Sequence, residues 1–130
     1  MNKTKILFFL FSLFFASGIY SQSEPVLYFC TNFDSKGESG IGDRFVTGPV
    51  VVVVRCDNPL GVQRVNVQFD KWNGSEFIYF NAVTFTLKPK VQYTWFSDAR
   101  LRIDEPGIYR CFLLAEDNKT IASAMVEFVK

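Results

Sequence analysis

Glu105-Pro106-Gly107-Ile108-Tyr109-Arg110-Cys111 is the stretch of this chain whose reading decides the fold. Pro106-Gly107 is a turn dipeptide. The residues after it start a strand in which Tyr109 and Cys111 share one side, because strand side chains alternate between faces. Working outward, Leu101 and Ile103 lead into this turn, and residues 108–115 complete the strand. A tight turn around Asp117 and Asn118 then hands over to a last strand at 120–129. Upstream, Val83, Phe85 and Leu87 alternate with polar residues until Lys88-Pro89-Lys90 stops them, and Val91, Tyr93 and Trp95 form another alternating set.

The front half reads the same way. Pro25 opens a first strand at 26–31, and residues 34–43, rich in glycine and charge, read as a mobile loop. Residues 45–56 read as one strand holding five consecutive valines, Val50 to Val54. Val65, Val67 and Phe69 face one way, and Asn66, Gln68 and Asp70 the other. Asn73-Gly74 is a strong hairpin signal, with the returning strand starting at Phe77. About seven or eight strands, turns every dozen residues or so and no helical period predict one all-β domain.

The segment 101–129 resembles immunoglobulin-like and fibronectin type III-like domains of exported proteins. Gly107, Tyr109 and Cys111 match the D-x-G/A-x-Y-x-C corner of such domains, with Glu105 in place of the aspartate. The resemblance implies an immunoglobulin-like antiparallel β-sandwich in which the tyrosine hydroxyl bonds back to the corner backbone. Phe69 stands where the core tryptophan of classical immunoglobulin domains is expected, which sets this chain apart from them. By the same resemblance Cys56 pairs with Cys111. Because Cys56 ends its strand while Cys111 lies near the start of its own, Cys30 is an alternative partner for either. Three buried reduced thiols are the remaining reading.

The N-terminus addresses the chain for export. Lys3 and Lys5 precede an apolar run at 6–15 with five phenylalanines, and small residues follow at Ala16, Ser17, Gly18 and Ser21. This is the pattern of a secretory signal peptide over 1–21, too short to span a membrane, and the mature domain is then 22–130. Loss of Lys3 and Lys5 takes 14 basic residues to 12 against 13 acidic ones, a net charge of about −1. No basic face suited to nucleic acid is apparent. Histidine is absent, which removes the commonest general base and metal ligand. No zinc spacing, phosphate loop or nucleophile elbow is present, and no cofactor is expected. The chain is read as non-enzymatic.

Three features suggest how it binds. Alternation places Val51 and Val53 on the face opposite Val50, Val52 and Val54, so a one-sided strand offers them to a partner or to strand addition. The loop carboxylates Asp34, Glu38 and Asp43 are a second partner-binding candidate, though their spacing fits no EF-hand. Trp72 and Tyr79, flanking the hairpin, are candidates for a sugar-stacking platform within a wider aromatic set that includes Phe77, Phe80, Tyr93 and Trp95. The expectation is an exported interaction or structural module, periplasmic, cell-surface or extracellular, partnered by another envelope or extracellular protein. A carbohydrate-binding module and a small secreted hydrolase inhibitor are the alternatives.

Overall fold

The computed structural model describes residues 24–130, and the signal peptide expected at 1–21 lies outside them. The described chain is all-β. Its strands are β1 (Val26–Cys30), β2 (Asn32–Asp34), β3 (Gly37–Ser39), β4 (Arg44–Val46), β5 (Gly48–Pro49) and β6 (Val51–Arg55). They continue as β7 (Arg64–Trp72), β8 (Phe77–Thr86), β9 (Tyr93–Phe96), β10 (Arg102–Ile103), β11 (Gly107–Ala115) and β12 (Thr120–Val129). One sheet runs β1-β6-β9 and a larger one runs β4-β12-β11-β7-β8, with β5–β10 and β2–β3 as separate pairs. All pairings are antiparallel except β12 with β4, which is parallel.

Alternation turns one face of each main sheet onto a common core, an arrangement consistent with a β-sandwich. The three-stranded sheet contributes Leu27, Phe29, Val52, Val54 and Phe96; the five-stranded sheet contributes Val65, Val67, Phe69, Tyr109, Cys111, Leu113, Val126 and Phe128. Each fully buried side chain of this size stabilises by roughly 1.5–3 kcal/mol. Tyr109 is the hub of the inner face. Its ring meets Phe69, Phe80 and Phe128 edge-on at 6.5, 5.1 and 5.7 Å, the offset geometry aromatic quadrupoles favour. Its hydroxyl donates to the Glu105 carbonyl at 2.7 Å, closing the corner. Burial, with Glu105 nearby, pushes its pKa up to about 12, so the phenol stays a donor at neutral pH.

Two of the expected elements are corrected here. The single strand expected at 45–56 is three segments: β4 pairs with β12, β5 with β10, and β6 with β1 and β9. Gly48 makes the crossing between sheets, with a φ of +140° that a side chain would strain. The hairpin expected around Asn73-Gly74 is present, with its returning strand starting at Phe77 as expected and a four-residue loop at 73–76. Asn73 Oδ1 accepts the amides of Ser75 and Glu76, both at 2.9 Å, a local side-chain bond that competes with the two-residue turn. Residues 34–43 are partly an ordered hairpin, β2–β3, rather than a loop throughout.

The expected Cys56–Cys111 bridge is not formed: Cys30, Cys56 and Cys111 are all free and buried. Cys111 sits mid-strand, opposite Phe69 and Ala124. Cys56 lies past the end of β6, its thiol directed at the Gln92 carbonyl 3.4 Å away. Cys30 packs with Val51 and Val53 in a separate cluster. Disulfide geometry tolerates little offset, and these thiols have three different sets of neighbours. Burial raises the pKa of each, which keeps them protonated and slow to react.

Two outcomes follow. Tyr109→Phe removes the hydroxyl that donates to the Glu105 carbonyl and should cost about 1–2 kcal/mol, read as a lower urea midpoint at unchanged slope. Titration with a thiol reagent should find three thiols in guanidinium and almost none in the native protein; one thiol on denaturation would instead mean a bridge.

Candidate functional site

The outer face of the three-stranded sheet, where Val51 and Val53 were expected to be open, is covered by the chain itself. Directly after β1 the chain folds back as the β2–β3 hairpin, and Val51 and Val53 are only 8% and 0% exposed beneath it, clustered with Cys30, Tyr28 and Phe33. Strand addition has no edge here either, since β6 is bonded to β1 on one side and β9 on the other. Phe33 of the hairpin stacks on Trp95 at 4.2 Å with planes 9° apart. Glu38 accepts a hydrogen bond from Tyr28 Oη at 2.8 Å and another from Tyr93 Oη, and Arg55 lies 3.9 Å away. The valines therefore form a second, smaller core closed by a flap.

The loop carboxylates do not converge. Asp34 Oδ1 accepts the Lys36 amide at 2.8 Å and shapes the hairpin tip. Glu38 clamps the flap, and the Asp43 carbonyl accepts the Glu127 amide at 2.8 Å beside the other sheet. Among the described residues no group of three or more His, Cys, Asp or Glu could hold a metal ion. Glu38 is held below the ordinary carboxylate value of 4.5, first by the Tyr93 hydroxyl and then by that of Tyr28. Burial, followed by the bond to Glu38, raises the Tyr28 pKa.

The outer face of the five-stranded sheet is different. Register sets its side chains in rows. Trp72 pairs with Phe77, and Ile108, next to the Tyr109–Lys71 pair, stands at the level of Trp72. Trp72, Phe77, Ile108 and Met125 line a shallow depression of about 200 Å³ with no polar residue in its wall. It adjoins a groove lined by Asp43, Arg44, Ile108, Met125, Val126 and Glu127. The next row runs Met125, Arg110, Asp70, Tyr79. Exposures of 39% for Trp72, 41% for Ile108, 46% for Met125 and 65% for Tyr79 mark an open apolar patch.

Arg110 lies at the centre of that face. Its guanidinium carbon is 5.6 Å from the Phe77 ring centroid, and its Nε is buried with no hydrogen-bond partner. Asp70, directly across the strand pair, accepts a hydrogen bond on Oδ1 from Gln68 Nε2 at 2.9 Å. The structure thus brings the sugar-platform candidates Trp72 and Tyr79 to one face. Trp72 meets Phe77 with planes 57° apart, so these two rings make a ridge rather than a flat shelf.

Ile108, Arg110 and Met125 were missed from sequence. The signal was available in part, since Ile108 and Arg110 are out of phase with buried Tyr109 and Cys111. Which outward residues become neighbours depends on strand register, and that is not written in one strand. No protein-family model matches the chain, and the curated proteins contain no match to it.

Glu38 generates a pH test of the flap. Its folded value is depressed, so the stabilisation it gives is present above about pH 4.5. It is lost as the pH falls through the lower, folded value. Trp95 fluorescence in the native protein should therefore change reversibly in acid before global unfolding. Glu38→Gln should show the changed signal already at neutral pH and lose the acid step; an unchanged acid step in that variant contradicts the flap clamp.

Proposed function

We propose that this is an exported, non-enzymatic β-sandwich of immunoglobulin-like type that acts by binding another protein through the outer face of its five-stranded sheet. The observation carrying this reading is the open apolar depression of Trp72, Phe77, Ile108 and Met125 beside Arg110, whose Nε is buried without a hydrogen-bond partner among the described residues. Aromatic residues, Met and Arg are the residue types enriched at protein interfaces. Leaving such a patch in water forgoes its burial, a cost that binding would recover.

Several observations support the non-enzymatic half of the proposal. The sequence has no histidine. Acidic side chains near the corner are engaged singly, Asp104 with Arg102 at 2.9 Å and Glu105 with Lys71 at 3.0 Å. The lysine- and phenylalanine-rich N-terminus supports export. The Tyr109 hydroxyl bond at the corner agrees with the immunoglobulin-like resemblance. The patch has apolar walls, where a sugar site places hydrogen-bonding groups around its stacking ring, and this favours protein over carbohydrate.

The test is a cross-linked pull-down of tagged protein from its native envelope and medium, with wild type and an Ile108→Glu variant in parallel. The expected result is one stoichiometric protein recovered with wild type and lost with the variant. Recovery of polysaccharide, or of a protein indifferent to Ile108→Glu, contradicts the proposal.

A further inference from the structure

We infer that the occupant of this face is a second copy of the same chain, in a symmetric dimer; the inference rests on the proposed binding role of the face and names its partner. Two observations select the copy: the charges of the face are self-complementary, and its area suits a dimer.

The charge pattern follows from strand register. Arg110 on β11 and Asp70 on β7 are direct cross-strand partners at the middle of the face. Consider a two-fold axis running along the strands, above the seam between β11 and β7. Such an axis exchanges the two strands, so each side chain on β11 meets the side chain at the same level on β7 of the other copy. Arg110 then meets Asp70 of the second copy, and Asp70 meets its Arg110, giving two reciprocal ion pairs.

The same operation brings several apolar side chains together, although it also sets Glu127 against Phe77 and Phe112 against Gln68. One row away Ile108 meets Trp72, and on the flanking strands Met125 meets Tyr79. Stacked sheets cross at about 30°, which displaces the outer pairs most and those nearest the axis least. The central charge pair is therefore the part of the pattern that twist preserves.

Within one copy, both charged groups are poised for this. Among the described residues Arg110 forms no ion pair and its Nε is buried without a hydrogen-bond partner, the kind of group that folded proteins rarely leave unsatisfied. Asp70 Oδ1 accepts a hydrogen bond from Gln68 Nε2. The pair does not close within the chain because the guanidinium lies over Phe77. A facing carboxylate would pair with the terminal nitrogens of the guanidinium, the Nε being closed off from the surface.

The area is also suitable. Four long strands spaced about 4.8 Å apart and about nine residues long present a face of about 19 by 30 Å. That is roughly 600 Å² in projection and more in accessible area, close to the ~800 Å² per partner of a standard-size interface. Balanced charge matters too: a face carrying one positive and one negative group at its centre is repelled by no copy of itself in this orientation.

Sedimentation velocity on the protein from residue 22 onward, at about 1 to 200 µM, tests the inference, since interfaces of this size reach micromolar dissociation constants or tighter. The expected species is a dimer. Arg110→Asp and Asp70→Arg each place like charges face to face and should weaken association at least about tenfold. The combined swap should restore it, which a folding defect in either single variant would not. Met125→Glu, at an exposed position, should also weaken the dimer while leaving the circular dichroism spectrum unchanged. A monomer throughout the range overturns the inference, and so does a dimer indifferent to both swaps and to Met125→Glu. A monomer that still captures a different protein through Ile108 overturns it while leaving the proposed function standing.

Discussion

Everything in this molecule is arranged around the burial of Tyr109. Its ring is the meeting point of Phe69, Phe80 and Phe128, from three different strands, and its hydroxyl fixes the Glu105 corner from which β11 departs. Burying a phenol needs a partner for its oxygen, and the corner carbonyl provides it at no cost in core volume. With Tyr109 fixed inward, period-two alternation leaves no freedom for its neighbours. Cys111 and Leu113 must also face the core, while Ile108 and Arg110 must face out. The outer patch is thus a consequence of the same constraint that builds the core.

The two outer faces show two solutions to exposed apolar surface. On the three-stranded sheet the chain spends residues 32–39 on a flap that buries Val51 and Val53, with Phe33 stacked on Trp95 and Glu38 tying two tyrosine hydroxyls. On the five-stranded sheet no segment of the described chain performs that service for Trp72, Ile108 and Met125. One apolar face is closed from within and the other is open. This asymmetry, rather than any single residue, gives the binding proposal its direction.

The sequence was legible where the physics is local. Alternation through Val65, Val67 and Phe69, the Pro106-Gly107 turn and the Tyr109–Cys111 phase were all readable, and the strands β7, β11 and β12 lie where they were expected. The valine run was readable as strand but not as covered, because its cover is a hairpin whose glycines and charges look like open loop. The Gly48 crossing was hidden inside an apolar stretch that suggests continuity. Phe80 turns inward through a register shift opposite Phe69 and Asp70, which no sequence period announces. The site was half legible: Trp72 stood out by its chemistry, while Arg110, Ile108 and Met125 acquire meaning only once three strands are set side by side.

Hydroxyl-radical footprinting at low and high protein concentration tests the central claim most directly, since it reports the exposure of side chains on each face without any substitution in the chain. Trp72 and Met125 lie on the face assigned to binding, and Trp95, at 48% exposure, lies on the other sheet. The account predicts that Trp72 and Met125 become protected as concentration rises while Trp95 does not. Protection of Trp95 alone, or no concentration dependence at Trp72 and Met125, would contradict it.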